Sequence, residues 1–355
     1  KMTKPTTEIA LVNRTNSSGA HAYITGLDLH QNNRPVFIQS DGKTLYHPSS
    51  PAKPQGPLGA DCAIPLGQPG STTRVTIPQI AGGRIWFVLD GTLKFLINPG
   101  PAIVEPSVTN PSDPNYHNLW GFCEFTYNQQ QLFVNISYVD FVSLPIGLEL
   151  RNEAGQTQSV GGLNPGGLDA ICQGLVDQNN ADRVGWDKLV VKGRDGKNLR
   201  ALSPNAGRVL NPGLFDNYYA AYVDAVWDKY AREDLTVNTQ AQWGDVRARV
   251  KDGELDFGGT AGRFGRPTAA DVFSCSTGPF ATGSDVQRGA IGARLAAAFN
   301  RSTLLVNARQ PEGEAVAAYY RHPVTNHYAR VVHAHNAGGR GYAFPYDDVG
   351  HAREG

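Results

Sequence analysis

Charge of either sign is scarce in this chain. Only 18% of its 355 residues are Asp, Glu, Lys or Arg, and 32 basic residues balance 32 acidic ones. Binding to nucleic acid or to an anionic membrane runs on a basic excess, so neither partner is expected. Long apolar runs are missing as well. No stretch nears the ~18 residues that would span a bilayer. Methionine occurs once and cysteine four times, with no CxxC pair, which argues against zinc-ribbon and thioredoxin-type sites. There is no GxSxG, phosphate loop or dinucleotide fingerprint, so serine-hydrolase and nucleotide chemistry have no support and no cofactor is expected. The opening residues KMTKPTTEIALVN lack a charged segment followed by an apolar one, and read as a mature start with any export signal absent.

Turn formers are plentiful, with 40 Gly and 23 Pro. Over residues 1–150 they punctuate short alternating runs such as HAYITGLDL, TRVTIPQI and GRIWFVLDGTLKFLI, the pattern of a β-sandwich or barrel. The character changes near Asn152. Leu168, Ile171, Cys172 and Leu175 fall on one helical stripe, and Leu214, Tyr218, Tyr222, Val226, Trp227 and Tyr230 on another. DVQRGAIGARLAAAFNRS reads as a third helix, and Asp252-Gly253 as a two-residue hairpin turn. The tail from residue 315 returns to strand patterning. The predicted fold is therefore mainly β with an α/β insertion: residues 1–150 and 315–355 form a barrel or sandwich, and residues 151–314 a mixed α/β domain. A cleft between two such units is a common ligand site.

The four cysteines, Cys62, Cys123, Cys172 and Cys275, are scattered and even in number. In a chain of secreted character this favours one or two disulfides, in any of three full pairings, with buried free thiols as the alternative. Sequons stand at Asn13, Asn16, Asn135 and Asn300.

Trp120 to Pro145, WGFCEFTYNQQQLFVNISYVDFVSLP, reads as two strands joined by a polar turn, with Glu124 on one arm and Asp140 at the end of the other. Two carboxyl groups brought together are the minimum equipment for cleaving a glycosidic bond: one protonates the leaving oxygen, the other activates water or attacks. Alternation puts Glu124, Thr126 and Asn128 on one face and Phe125 and Tyr127 on the core face. A turn near Gln129–Gln130 sets Thr126 opposite Phe133 and Glu124 opposite Asn135, so Phe133, Asn135 and Ser137 join the polar face. Strict alternation sends Asp140 inward with Ile136 and Tyr138. The chemistry therefore requires a bulge or strand end between Ser137 and Asp140. A glycan on Asn135 would block this face, so that sequon is expected to be unmodified.

The order E-F-T-x-N (Glu124 to Asn128), N-I-S-Y-V-D (Asn135 to Asp140) and L-P (Leu144-Pro145) resembles the sheet motif of thaumatin-like proteins, and YAFPYDD (Tyr342 to Asp348) their closing motif. Those proteins are smaller, richer in cysteine and lack a helical insertion. The whole combination is similar to the glycoside hydrolase family 64 β-1,3-glucanases of the laminaripentaose-producing type, which set a thaumatin-like barrel against an α/β domain across a wide groove. The resemblance implies a secreted, monomeric, inverting hydrolase of β-1,3-glucan (laminarin, curdlan, fungal cell wall) that needs no cofactor. It implies that Glu124 is the general acid and Asp140 the general base, with sugar contacts from Thr126, Asn128, Phe133 and Ser137. The acid must hold its proton at working pH, through burial or a neighbouring anion. A non-catalytic, antifungal glucan-binding protein of the thaumatin-like kind is the alternative.

Beyond the hairpin, Asp347 and Asp348 are candidates to line the cleft, and Trp243, in a hairpin-like region, is a candidate for sugar stacking. Trp227 sits on a helix stripe and reads as core. His333 and His335 have the spacing of a strand face but no third ligand, so no metal is expected.

Overall fold

The computed structural model describes residues 1–311 and 315–350. The expected domain boundary at residue 314 and the last five residues of the tail lie outside the described residues. The largest sheet runs in the order Leu132–Asn135, Trp120–Tyr127, Ile80–Val88, His21–Asp28, Arg34–Ile38, Leu45–Tyr46, with Ile64–Pro65 also pairing to His21–Asp28. The path is open, so this half is a sandwich rather than a closed barrel. One face packs on the ribbon Thr6–Val12/Thr72–Pro78: Ile24, Ile85, Cys123 and Phe125 meet Leu11, Val75 and Ile77 in one core. Tyr23, Trp86, Trp120 and Phe122 point the other way, into a second core that continues without a break into the helical half. Side-chain alternation thus feeds two cores from one set of strands.

The helical half has the expected parts. Helix Gly167–Asp182 buries Ile171, Cys172 and Leu175, and helix Val286–Arg301 is capped by Asp285, whose carboxylate accepts from the Arg288 N–H. Leu214 and Tyr218 precede the helix Ala220–Tyr230 instead of belonging to it. Asp252-Gly253 joins Asp245–Lys251 to Glu254–Asp256, both turn residues having the positive φ of a type I′ turn (51° and 81°). A five-stranded sheet, Arg263–Phe264, Glu254–Asp256, Asp245–Lys251, Leu235–Asn238, Arg309–Gln310, flanks these helices.

Two expectations are corrected. The tail is not a set of strands: HYARVVHA forms the helix His327–Ala334, which buries Tyr328, Val331 and Val332 against the second core. The tail pairs with the hairpin segment in a parallel bridge, Ser137 to Tyr342. Phe141–Val142, just past the hairpin, pairs with Asn198–Leu202, so strand pairing links the residues before 150 to those after. All four cysteines are free and buried. Cys123 lies in the first core, while Cys62 and Cys172 lie in the second with Cys275, each in apolar surroundings that push its thiol up to about 12. Two of the sequons are also internal: Asn13 donates to the carbonyls of Ser17 and Gly67, and Asn300 to those of Val272 and Ala296.

Candidate active site

The two arms pair in the expected register: Glu124 opposite Asn135, Phe125 opposite Val134, Thr126 opposite Phe133. Asn128 closes the turn. Its N–H donates to the Gln131 carbonyl (3.0 Å), and its side-chain oxygen accepts from the N–H groups of Gln130 and Gln131 (2.9 Å each). That oxygen is committed to holding the turn, which leaves the amide NH2 for a ligand. On the first arm Trp120 and Phe122 are buried, whereas Glu124, Thr126 and Asn128 are only partly so. The same face therefore passes from core to open surface between Phe122 and Glu124. Phe133 projects from the second arm 46% exposed. Asn135 is half-buried, and its Oδ1 has no partner among the described residues.

The required irregularity is present. The second arm ends at Asn135, Ser137 makes an isolated bridge, and the chain bends at Val139 and Asp140 before the next sheet takes over at Phe141. Ile136 and Tyr138 stay buried, and Asp140 turns outward. The bend is held from three sides. The Tyr138 N–H donates to the Tyr342 carbonyl (2.7 Å), the Tyr328 hydroxyl donates to the Tyr138 carbonyl (2.6 Å), and the Ser203 N–H donates to the Asp140 carbonyl (2.9 Å). Asp140 presents surface to solvent, yet burial by the protein around it raises its carboxyl above the ordinary value, partly offset by the charge of Arg84.

Arg84 is the residue that the sequence reading missed. It lies directly across from Glu124 on the strand Ile80–Val88, one residue after Gly83, where any Cβ would sit 2.5 Å from the Phe125 ring. Its guanidinium is 3.3 Å from Glu124 and 2.8 Å from Glu105, and lies over the rings of Phe122 (4.3 Å) and Trp86 (5.4 Å). The signal in the sequence was an arginine in alternation with Trp86 on an otherwise apolar strand.

The remaining candidates fare differently. Asp347 does not line a cleft. It is buried, accepting from His333 (2.6 Å) and from the Ala343 N–H (2.8 Å) and pairing with Arg301 (3.4 Å). Asp348 is exposed, and the hydroxyl of Tyr342, the residue bridged to Ser137, points at it from 3.5 Å. Trp243 is half-buried in the turn before Asp245–Lys251, on the five-stranded sheet. Trp227 is core, as expected, and donates to the Gly253 carbonyl. His333 and His335 lie on and just after a helix, not on a strand, and both ring nitrogens of His333 are engaged by Asp347 and the Gly339 carbonyl. Among the described residues no three His, Cys, Asp or Glu side chains converge as a metal cluster would require, and no helix is long and apolar enough to cross a membrane. A cavity of about 250 Å³ lined by Asp177, Gln178 and Arg330 contains no hairpin residue.

A family model described as beta-1,3-glucanase, glycoside hydrolase family 64, matches residues 5–355. The chain belongs to this family. It is 32% identical over 283 residues to the glucan endo-1,3-beta-glucosidases of Cellulosimicrobium cellulans and Arthrobacter sp. (strain YCWD3). That alignment takes in 78% of this chain and 50% of each relative, so the chain spans about half the length of the curated relatives it matches. Its fold is similar to that of a laminaripentaose-producing beta-1,3-glucanase solved with laminaritetraose, with TM-score 0.87 and 34% identity, over 98% of this chain and 94% of that one. A family 64 domain from Clostridium beijerinckii shares the fold with TM-score 0.72 at 20% identity, over 98% and 94% of the two chains.

Proposed function

We propose that this family 64 protein hydrolyses β-1,3-glucan with inversion, releasing short laminari-oligosaccharides, chiefly laminaripentaose. In this reading Glu124 protonates the departing glycosidic oxygen and Asp140 activates a water on the opposite face of the sugar. One observation carries it: the chain breaks its own alternation at Asp140, which is exposed where strict alternation would bury it, and Arg84, the ion-pair partner of Glu124, acts on the Asp140 carboxyl as well. Thr126, the Asn128 amide, Asn135 and Ser137 supply donors and acceptors along the same face, Phe133 a ring on which a pyranose stacks, and Asp348 a carboxylate at the tail edge. The α/β unit forms the other wall. Neutral sugars suit a surface of balanced charge. A polymer too large to enter a cell calls for a secreted enzyme, a reading that rests on substrate size because the cysteines are unpaired. A monomer suffices, since both acids come from one chain.

Glu124→Gln and Asp140→Asn are each expected to fold normally and to lower reducing-end release from laminarin at least ~10²-fold. Wild-type rates in either variant overturn the assignment. Proton NMR of the first product anomer reads the stereochemistry, and release of the β-anomer refutes inversion. Tight glucan binding by a wild-type protein that releases no reducing ends would leave the non-catalytic binder instead.

A second reading exchanges the two roles, and two observations favour it: burial raises the Asp140 carboxyl, and Arg84 pairs with Glu124. An aryl laminarioside with a dinitrophenolate leaving group distinguishes them. That group needs no protonation, so whichever variant keeps its activity on it has lost the acid.

A further inference from the structure

We infer that Arg84 and Glu105 form a positioning pair that sets the pH window of the reaction, with Arg84 acting on both carboxyl groups and Glu105 limiting its hold on Glu124. The inference rests on the reading that Glu124 and Asp140 carry the chemistry. It does not depend on which of them is the acid.

The geometry is a chain of three charged groups. The two terminal nitrogens of Arg84 are divided between Glu105 (2.8 Å) and Glu124 (3.3 Å), so the shorter bond goes to the carboxylate that has no catalytic part. The guanidinium is fixed by the rings of Phe122 and Trp86, which it overlies at 4.3 and 5.4 Å. Those rings belong to the second core, so Arg84 is anchored from beneath and cannot follow Glu124 without losing its stack. Its charge also reaches Asp140, where it opposes the effect of burial. Glu124 faces Arg84 on one neighbouring strand and the neutral Asn135 on the other. Among the described residues, the titratable groups that the structure links to the two carboxyls are Arg84, Glu105 and the buried phenol of Tyr328, which lies near Asp140 and donates to the Tyr138 carbonyl.

A group that must give up a proton to sugar oxygen works poorly beside an unopposed cation, because the cation favours its ionised form. Glu105 splits that cation's hold. A bystander carboxylate on the far side of an arginine therefore has a function that bulk stability does not require.

The test is the pH profile of kcat/KM on laminarin. Arg84→Met keeps the aliphatic stem over Phe122 and removes the charge. Both limbs are expected to move to higher pH by about half to one unit. Glu105→Gln leaves Arg84 to Glu124 alone, and both limbs are expected to move to lower pH. Arg84→Lys keeps the charge and is expected to bring the limbs back toward the wild-type positions. Profiles of Arg84→Met and Glu105→Gln that fall in height but coincide in position with wild type overturn the inference, since a purely structural role lowers rate without moving a limb. Glu124→Gln is run alongside. If it stays active, the underlying reading fails; if it is dead while the limbs stand still, only the inference fails.

Discussion

Phe133 stands 46% exposed on the second arm, where a solvated β-strand would normally carry a polar residue. Its neighbours Leu132 and Val134 pack into the first core, so alternation aims the ring outward, where it stays largely uncovered among the described residues. An exposed aromatic beside half-buried amides is what a sugar face requires, the ring taking the C–H face and the amides the hydroxyls. Phe133→Ala is expected to raise KM for long laminari-oligosaccharides about tenfold, with kcat on saturating substrate little changed, in line with ~0.5–1.5 kcal/mol for ring stacking. An unchanged KM would remove Phe133 from the sugar path. Asp347 shows the opposite outcome. It lies one residue from Asp348 in the same motif, yet is drawn inside by Arg301 and His333, a distinction that adjacent residues in a sequence do not reveal.

At the scale of elements, the decisive feature is the short bend between the second arm and Phe141–Val142. It belongs to neither sheet, and besides the local bond from the Val139 N–H to the Ser137 hydroxyl it is held from elsewhere in the chain, by Tyr342 in the tail, Tyr328 on the helix His327–Ala334, and Ser203 after Asn198–Leu202. Tyr328→Phe removes the bond to the Tyr138 carbonyl while keeping the buried ring. It is expected to cost roughly 1–3 kcal/mol of stability, because that carbonyl is left without its donor. It is also expected to lower kcat about tenfold with little change in KM, since Asp140 then loses part of its fixed placement. A drop in melting temperature without any drop in kcat would show the bond to be structural only.

At the scale of the whole molecule, the tail is fastened by a buried ion network. Burial works against the charged form of His333, but the charge and hydrogen bond of Asp347 outweigh it and raise its pKa. Burial likewise pushes Asp347 up, and His333, Arg301 and the Ala343 N–H together bring it below its ordinary value. A raised histidine stabilises the fold fully below its unfolded pKa near 6.5, and that contribution fades as pH rises through the folded value. A lowered aspartate stabilises above its unfolded pKa near 3.9, and that contribution fades as pH falls through the folded value. The network is therefore strongest between about pH 4 and 6.5. Asp347→Asn is expected to lower the melting temperature across that range, by an amount equivalent to about 3–5 kcal/mol, and to flatten its pH dependence. An unchanged pH profile of melting temperature would show that the tail is held by packing alone.

Residues Trp120–Asp140 on their own determined the hairpin register, the polar face with Glu124, Thr126 and Asn128, and the need for a break before Asp140, because a period of two and a turn position leave no freedom in pairing. The stripes over Gly167–Asp182 and Val286–Arg301 likewise declared two helices. Tertiary structure alone decided that Asp140 opens outward, that Arg84 stands between Glu105 and Glu124, that Asp347 is buried and that the four thiols stay apart. It also made a helix of HYARVVHA, whose apolar residues fit either period until the second core selects one. Local patterning is written in spacing along the chain. Which charges share a wall depends on strands distant in sequence packing side by side, and no spacing encodes that.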